Sequence, residues 1–262
     1  MSSHNTIPVT NPKLSSTTPT WAPFPGFSLL FDNPGASLRR SESGFPKLYT
    51  PVSSDPGLEF YQLLAEFVNE ELKRSEIMAY GFCPLPPFSY HVTVWDGLNQ
   101  GNLSEVKHPW YQKVRDFLYR LPDSMLRDDE IINPALFSLL VQKKWMLHFT
   151  FKGLFNWENI ALVIQIEPGD EDSEDIMQQL VEERWQLSQI YSEKFGAPHP
   201  NTYAPHVTIG YFANPDFVRL SPETLARWND RLKEKLSGKR LSFDTIGLYG
   251  FTDMISFYRH RG

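Results

Sequence analysis

The stretch Tyr90-His91-Val92-Thr93-Val94-Trp95-Asp96-Gly97 (YHVTVWDG) decides how this chain is read. Its β-branched and aromatic content favours a strand, in which alternate side chains point to opposite faces. His91, Thr93 and Trp95 then share one face, while Val92 and Val94 share the other and look toward a core. Tyr90 falls on the valine face and is expected to pack there. The same His-apolar-Thr-apolar tetrad recurs at His148-Phe149-Thr150-Phe151 and at His206-Val207-Thr208-Ile209. Three imidazole–hydroxyl pairs need a frame that tells them apart.

That frame is a degenerate repeat. Upstream of His91 lies "DPGLEFYQLLAEFVNEELKRS". Asp55 is a candidate N-cap, Pro56 suits the first helical position, and Leu58, Tyr61, Leu64, Ala65, Val68 and Leu72 recur at helical spacing. A Pro-rich loop, "CPLPPF", leads into the strand. Upstream of His206 the acidic run "PGDEDSEDI" opens a long helix reaching about Phe195, its carboxylates suiting the helix dipole. A second Pro-rich loop, "GAPHPNTYAP", comes next. Helices are expected again within 110–126 and from about Glu223 to Leu236. Each half then reaches a strand framed as Phe-x-x-x-Gly-Leu, at Phe149…Gly153-Leu154 and Phe243…Gly247-Leu248.

Aligning those frames sets His148 against Ser242 and Thr150 against Asp244. The middle tetrad therefore occupies a different slot, and His148 reads as a structural strand residue with a local hydrogen bond. Only His91 and His206 are equivalent. "WMLHFTFKGLF" and "IALVIQIE" form a hairpin candidate through Asn156-Trp157-Glu158-Asn159, and "RDDEIINPAL" reads as a loop. The expected fold is α+β and bilobal, with two mainly antiparallel sheets flanked by helices around a central cleft. Residues 1–20 read as a disordered polar tail. Residues 21–262 read as one two-lobed domain with approximate halves 21–145 and 146–262.

With 262 residues, 41% of them hydrophobic, the chain can bury a large core. Its one cysteine, Cys83, rules out an intrachain disulfide and a cysteine-based metal cluster, and fits a reducing compartment. The first twenty residues lack the pattern of a secretory signal, and no apolar run is long enough to span a membrane. A soluble, cytoplasmic monomer is expected. A net charge of −6 argues against long duplex nucleic acid but leaves room for a small phosphorylated ligand held by a few cations. There is no HExxH, P-loop, GxGxxG or EF-hand pattern, so neither metal nor cofactor is expected.

If the halves pack about a pseudo-twofold axis, His91 and Thr93 face His206 and Thr208 across one cleft. Two imidazoles can divide general base and general acid work near neutral pH. Threonine hydroxyls can donate to non-bridging phosphoryl oxygens. "HVTV" and "PHVTI", one in each half, resemble the paired signatures of the two-histidine (2H) phosphoesterase superfamily. That group includes RNA 2′,3′-cyclic phosphodiesterases, 2′–5′ RNA ligases and exonucleases that trim small-RNA 3′ ends. The resemblance covers about residues 21–262 and implies a metal-independent phosphodiesterase with catalytic His91 and His206 and phosphate-binding Thr93 and Thr208. It implies a nucleotide or short RNA with a phosphorylated end as partner, and a role in RNA processing. The alternatives are a 3′-end exoribonuclease or 2′–5′ ligase on the same fold, or a module that binds an RNA end without turnover. The motif histidines stand 115 residues apart, longer than is usual in the family, which points to an insertion at "PDSMLRDDEIINPA".

Strand alternation nominates Trp95 as a base-stacking plate, with Gly210 at the equivalent position in the second half, and Phe212 for the same role beside His206. Arg39, Arg40, Lys143, Lys144, Lys152, Arg259 and Arg261 are candidate phosphate cations, and Lys152, on the face of Thr150, leads them.

Overall fold

Helix and strand stretches alternate along the chain largely as their periodicity dictates. The computed structural model describes residues 7–18, 20–35, 37–51, 55–127, 130–197 and 202–261. In chain order come β1 (Leu14–Ser16), β2 (Thr20–Trp21), β3 (Gly26–Phe31), β4 (Leu38–Arg40), β5 (Pro46–Leu48), α1 (Glu59–Glu70), β6 (Phe82–Pro84) and β7 (Thr93–Asn99). Then come α2 (Trp110–Leu118), α3 (Asn133–Leu136), α4 (Leu139–Gln142), β8 (Leu147–Trp157), β9 (Ala161–Pro168) and α5 (Glu171–Phe195). The last elements are β10 (His206–Phe212), α6 (Pro222–Lys235), β11 (Leu241–Phe243), β12 (Ile246–Asp253) and β13 (Ser256–Arg259).

The helices start where their caps lie. The Asp55 carboxylate accepts from Gly57 N at 2.9 Å and leads through Pro56 into α1, whose Phe60, Tyr61, Leu64, Ala65, Phe67 and Val68 are buried. Asp170 caps α5 by accepting from Ser173 N at 3.0 Å, with Glu171, Asp172 and Glu174 in the first turn. Gly196, at φ +86°, closes that helix in the left-handed region that glycine adopts freely. Ser221 caps α6 ahead of Pro222.

The architecture is α+β, with antiparallel sheets of order β4-β5-β13-β12-β3-β7 and β11-β8-β9-β10-β6, and a separate β1-β2 ribbon. The two large sheets interleave along the chain. β6 comes early yet edges the five-stranded sheet, while β12 and β13, last in sequence, complete the six-stranded one. Each sheet contains the same antiparallel trio of motif strand, partner and outer strand: β7-β3-β12 in one and β10-β9-β8 in the other. The Gly-Leu pairs of the repeated frames, Gly153-Leu154 and Gly247-Leu248, lie on the two outer strands.

The sheets touch where Val92 forms an isolated antiparallel bridge to Val207. β6 pairs with β10 only over Gly210–Phe212, so the edge of β10 at Val207 is left to Val92. Both valines are fully buried in a core that continues through both sheets.

Two readings of the sequence change. Residues 7–18, taken from composition as part of a disordered tail, are packed. Thr10 N and Asn11 N donate to Ala213 O at 2.9 and 3.1 Å, Asn11 Nδ2 donates to Phe212 O at 2.9 Å, and Leu14 is buried. Polarity misled because this arm is held by backbone groups beyond β10 rather than by an apolar stripe of its own. The segment read as a loop ends in α3, and its Ile131 and Ile132 are fully buried, with Tyr191 donating to Ile131 O at 2.6 Å. Residues 1–6 and 19 of the expected tail, Asp128 and Asp129, and residues 198–201 of the second Pro-rich loop lie outside the described residues. No helix among the described residues is long and apolar enough to cross a membrane.

Candidate active site

The two outer histidines are set up in the same way. His91 Nδ1 lies 2.7 Å from Ser89 O, and His206 Nδ1 lies 2.8 Å from Ala204 O. A carbonyl oxygen only accepts, so Nδ1 carries the hydrogen in each ring and Nε2 is left as the basic nitrogen. An aromatic ring flanks each imidazole: Phe257 at 4.4 Å from His91 and Trp157, edge-on, at 5.0 Å from His206. Around the Val92–Val207 bridge, antiparallel register sets His91 beside Thr208 and Thr93 beside His206. All four line one cleft of about 430 Å³ between the sheets.

Burial pushes the His91 imidazole down to about 4, helped by the nearby His206 and Lys13 and opposed by the Ser89 carbonyl and Asp96. Burial also lowers His206, against the Ala204 carbonyl and Asp96. Without an anion between them, both rings are held toward the neutral form.

The strands that carry them are anchored from behind. Tyr90 O, one residue before His91, accepts from Asn33 Nδ2 at 2.8 Å and Thr50 Oγ1 at 3.0 Å, and Tyr61 donates to Asn33 Oδ1 at 3.0 Å. Tyr203, in the loop before His206, donates across to Thr93 O at 2.9 Å. The buried Arg184 donates to Val94 O, and its guanidinium lies 4.1 Å over the Tyr203 ring. The free edge of β7 is thereby tied to the approach to the second histidine.

Beyond each threonine the strand alternation breaks. β3 and β7 pair Leu30 with Thr93 and then Leu29 with Trp95. β9 and β10 pair Val163 with Thr208 and then Leu162 with Gly210. One extra residue, Val94 or Ile209, bulges out of each motif strand and reverses the facing of the residues beyond it. Trp95 therefore does not reach the cleft: it is fully buried, donates to Ser188 Oγ at 3.1 Å and lies 4.6 Å from the Tyr191 ring. Phe212 is likewise displaced, fully buried 5.3 Å from Phe82. Asp96 and Tyr211, three residues after the respective threonines, line the cleft instead.

Lys152 is also misplaced by the sequence reading. It sits at a register shift in β8, two strands away from β10, exposed and 3.9 Å from Glu167. None of the other nominated cations lines the cleft. Arg259 is committed to Asp32 at 2.7 and 2.8 Å, and Arg39 lies 3.2 Å over the Tyr49 ring. His148 does not line the cleft; its Nδ1 lies 2.7 Å from Oγ of Ser242, its cross-strand neighbour in β11.

Most of the cleft lining escaped the sequence reading, including Lys13, Asp96, Trp157, Glu158, Tyr211 and Phe257. Trp157 carried one usable signal, an aromatic at a hairpin turn, and it remains 48% exposed beside His206. Among the described residues, no group of three His, Cys, Asp or Glu side chains is placed to hold a metal ion.

No protein-family model matches the chain, and no curated protein matches it. Among solved structures it is similar to a conserved protein of unknown function from Agrobacterium tumefaciens, at 17% identity and a TM-score of 0.53, over 93% of this chain and 88% of that one. A structure described as a phosphoesterase is matched at 10% identity and a TM-score of 0.40, over 91% of this chain and 96% of that one. The Agrobacterium likeness extends to the fold, which this chain therefore shares with that protein across nearly its whole length.

Proposed function

We propose that this chain hydrolyses a 2′,3′-cyclic phosphate, or a related cyclic phosphodiester, on a nucleotide or short RNA end. The observation that carries this reading is the matched pair of imidazoles, each with Nδ1 on a backbone carbonyl, flanking one cleft with a threonine beside each. The resemblance of the HVTV and PHVTI segments to the paired signatures of two-histidine phosphoesterases agrees with this reading. One imidazole takes a proton from water as its oxygen bonds to phosphorus. The other gives a proton to the ribose 3′-oxygen as the P–O bond breaks, leaving a 2′-phosphate. Thr93 and Thr208 donate to the non-bridging oxygens as their charge grows. His91 suits the base, because its ring backs onto the buried Phe257 and resists protonation more strongly. His206, beside the half-exposed Trp157, suits the acid. A cleft of about 430 Å³ has room for a mononucleotide, and Trp157 offers a face for its base.

The test is a panel of 2′,3′-cyclic nucleotides, ADP-ribose cyclic phosphate and RNA ends, assayed with and without EDTA. Turnover is expected to survive chelation. His91→Ala or His206→Ala is expected to cut kcat by about 10²–10⁴-fold, and Thr93→Ala or Thr208→Ala by about 10²–10³-fold. A His91→Ala protein that still turns over at the wild-type rate excludes the two-histidine mechanism.

A further inference from the structure

We infer that Lys13, delivered by the packed N-terminal arm, is the cation that binds the anionic phosphoryl oxygens in the cleft. This rests on the reading of the cleft as a phosphodiester site. Lys13 lines the same cavity as His91, Thr93, His206 and Thr208, and it is the one lysine or arginine among the described lining residues. Its ammonium lies 4.6 Å over the Tyr211 ring, 5.5 Å over Phe24 and 3.4 Å from the Tyr211 hydroxyl. Among the described residues no carboxylate comes within ion-pair distance of it, whereas Lys152, Arg240 and Arg259 are each paired. A strongly hydrated point charge held on aromatic faces and left without a counter-ion suits a tetrahedral anion.

The arm holds it there from both sides. Lys13 N donates to Asn11 Oδ1 at 3.1 Å, and Ala22 N donates to Lys13 O at 3.1 Å. Asn214 Nδ2 donates to Pro8 O at 3.0 Å, and Leu14 is buried. Lys13 also acts on the imidazoles, since its charge is felt by both His91 and His206. The other charged groups lining the cleft, Asp96 and Glu158, are acidic, so without Lys13 the cavity would repel its ligand.

The experiment is a titration of inorganic phosphate, followed by NMR of the histidine ring protons, in wild type, Lys13→Gln and Lys13→Arg. Inorganic phosphate needs no turnover, so the outcome does not depend on which ester is cleaved. Lys13→Gln is expected to weaken phosphate by roughly tenfold or more and, without phosphate, to raise the pKa of both His91 and His206. Lys13→Arg is expected to restore much of both effects. With a cyclic substrate, KM should rise more than kcat falls. Equal phosphate affinity and unmoved histidines in a folded Lys13→Gln protein overturn the role of Lys13 and leave the two-histidine mechanism standing. No phosphate response at either histidine in wild type overturns both.

Discussion

At the scale of single residues, the proposed chemistry depends on how the two imidazoles titrate. His91 is held down to about 4 against 6.5 in an unfolded chain. Between those values the unfolded chain binds a proton that the folded one refuses. The resulting stabilisation is complete above pH 6.5 and is lost as the pH falls through the folded value. The full difference is about 3–4 kcal/mol at most, taking roughly 1.4 kcal/mol per pKa unit. In urea unfolding, wild type should therefore lose stability between pH 7 and pH 4 more steeply than His91→Gln; parallel curves would remove the assigned burial. The positions of His91, Thr93, His206 and Thr208 were legible because they follow from local strand alternation within a repeat. Their titration was not, since it depends on Lys13, on His206 and on a ring at position 257 that only the fold brings alongside.

At the scale of elements, the bulges decide which side chains line the cleft. A strict period of two sends Trp95 to the cleft, and a single extra residue at Val94 sends it into the core against Tyr191. The sequence "HVTVWDG" contains no sign of that bulge. It is stabilised tertiarily, by Arg184 and Tyr203 taking up the carbonyls of Val94 and Thr93 on the free edge of β7. The two tryptophans consequently separate. Trp95→Leu should cost about 3 kcal/mol of stability through lost packing and leave KM near wild type. Trp157→Ala should leave stability unchanged and raise KM for cyclic nucleotides by about 5–150-fold, the equivalent of one lost base stack. Denaturation midpoints and steady-state kinetics on both variants check the pair, and a KM defect confined to Trp95→Leu would reverse the assignment. Tyr203→Phe removes the tie between β7 and the approach to His206 while keeping the ring under Arg184. Its expected signature is a loss of kcat with an unchanged pH profile, as for a residue that positions rather than reacts.

At the scale of the molecule, the repeat in sequence is not a division into two separable sheets. The equivalence of His91 with His206, and of the Gly-Leu pairs on β8 and β12, was readable because each half kept the same order of elements. What could not be read is the exchange: β12 and β13 return to the sheet of β3 and β7, and β6 crosses to the sheet of β10. A chain holding only residues 146–262 therefore keeps β12 without β3, whose register from Ile246 to Phe251 covers the whole of that strand's buried run. Ile246, Leu248, Tyr249 and Phe251 would lose their packing partners, at about 1.5–3 kcal/mol for each large apolar side chain left in water. That loss, about 6–12 kcal/mol in all, is as large as the net stability of a typical domain, about 5–15 kcal/mol. The isolated half is therefore expected to show no cooperative urea transition, and the full chain a single transition seen alike by tryptophan fluorescence and by far-ultraviolet dichroism. Two separated transitions in the full chain, or a half that unfolds cooperatively alone, would mean that the strand exchange does not bind the two sheets into one cooperative unit.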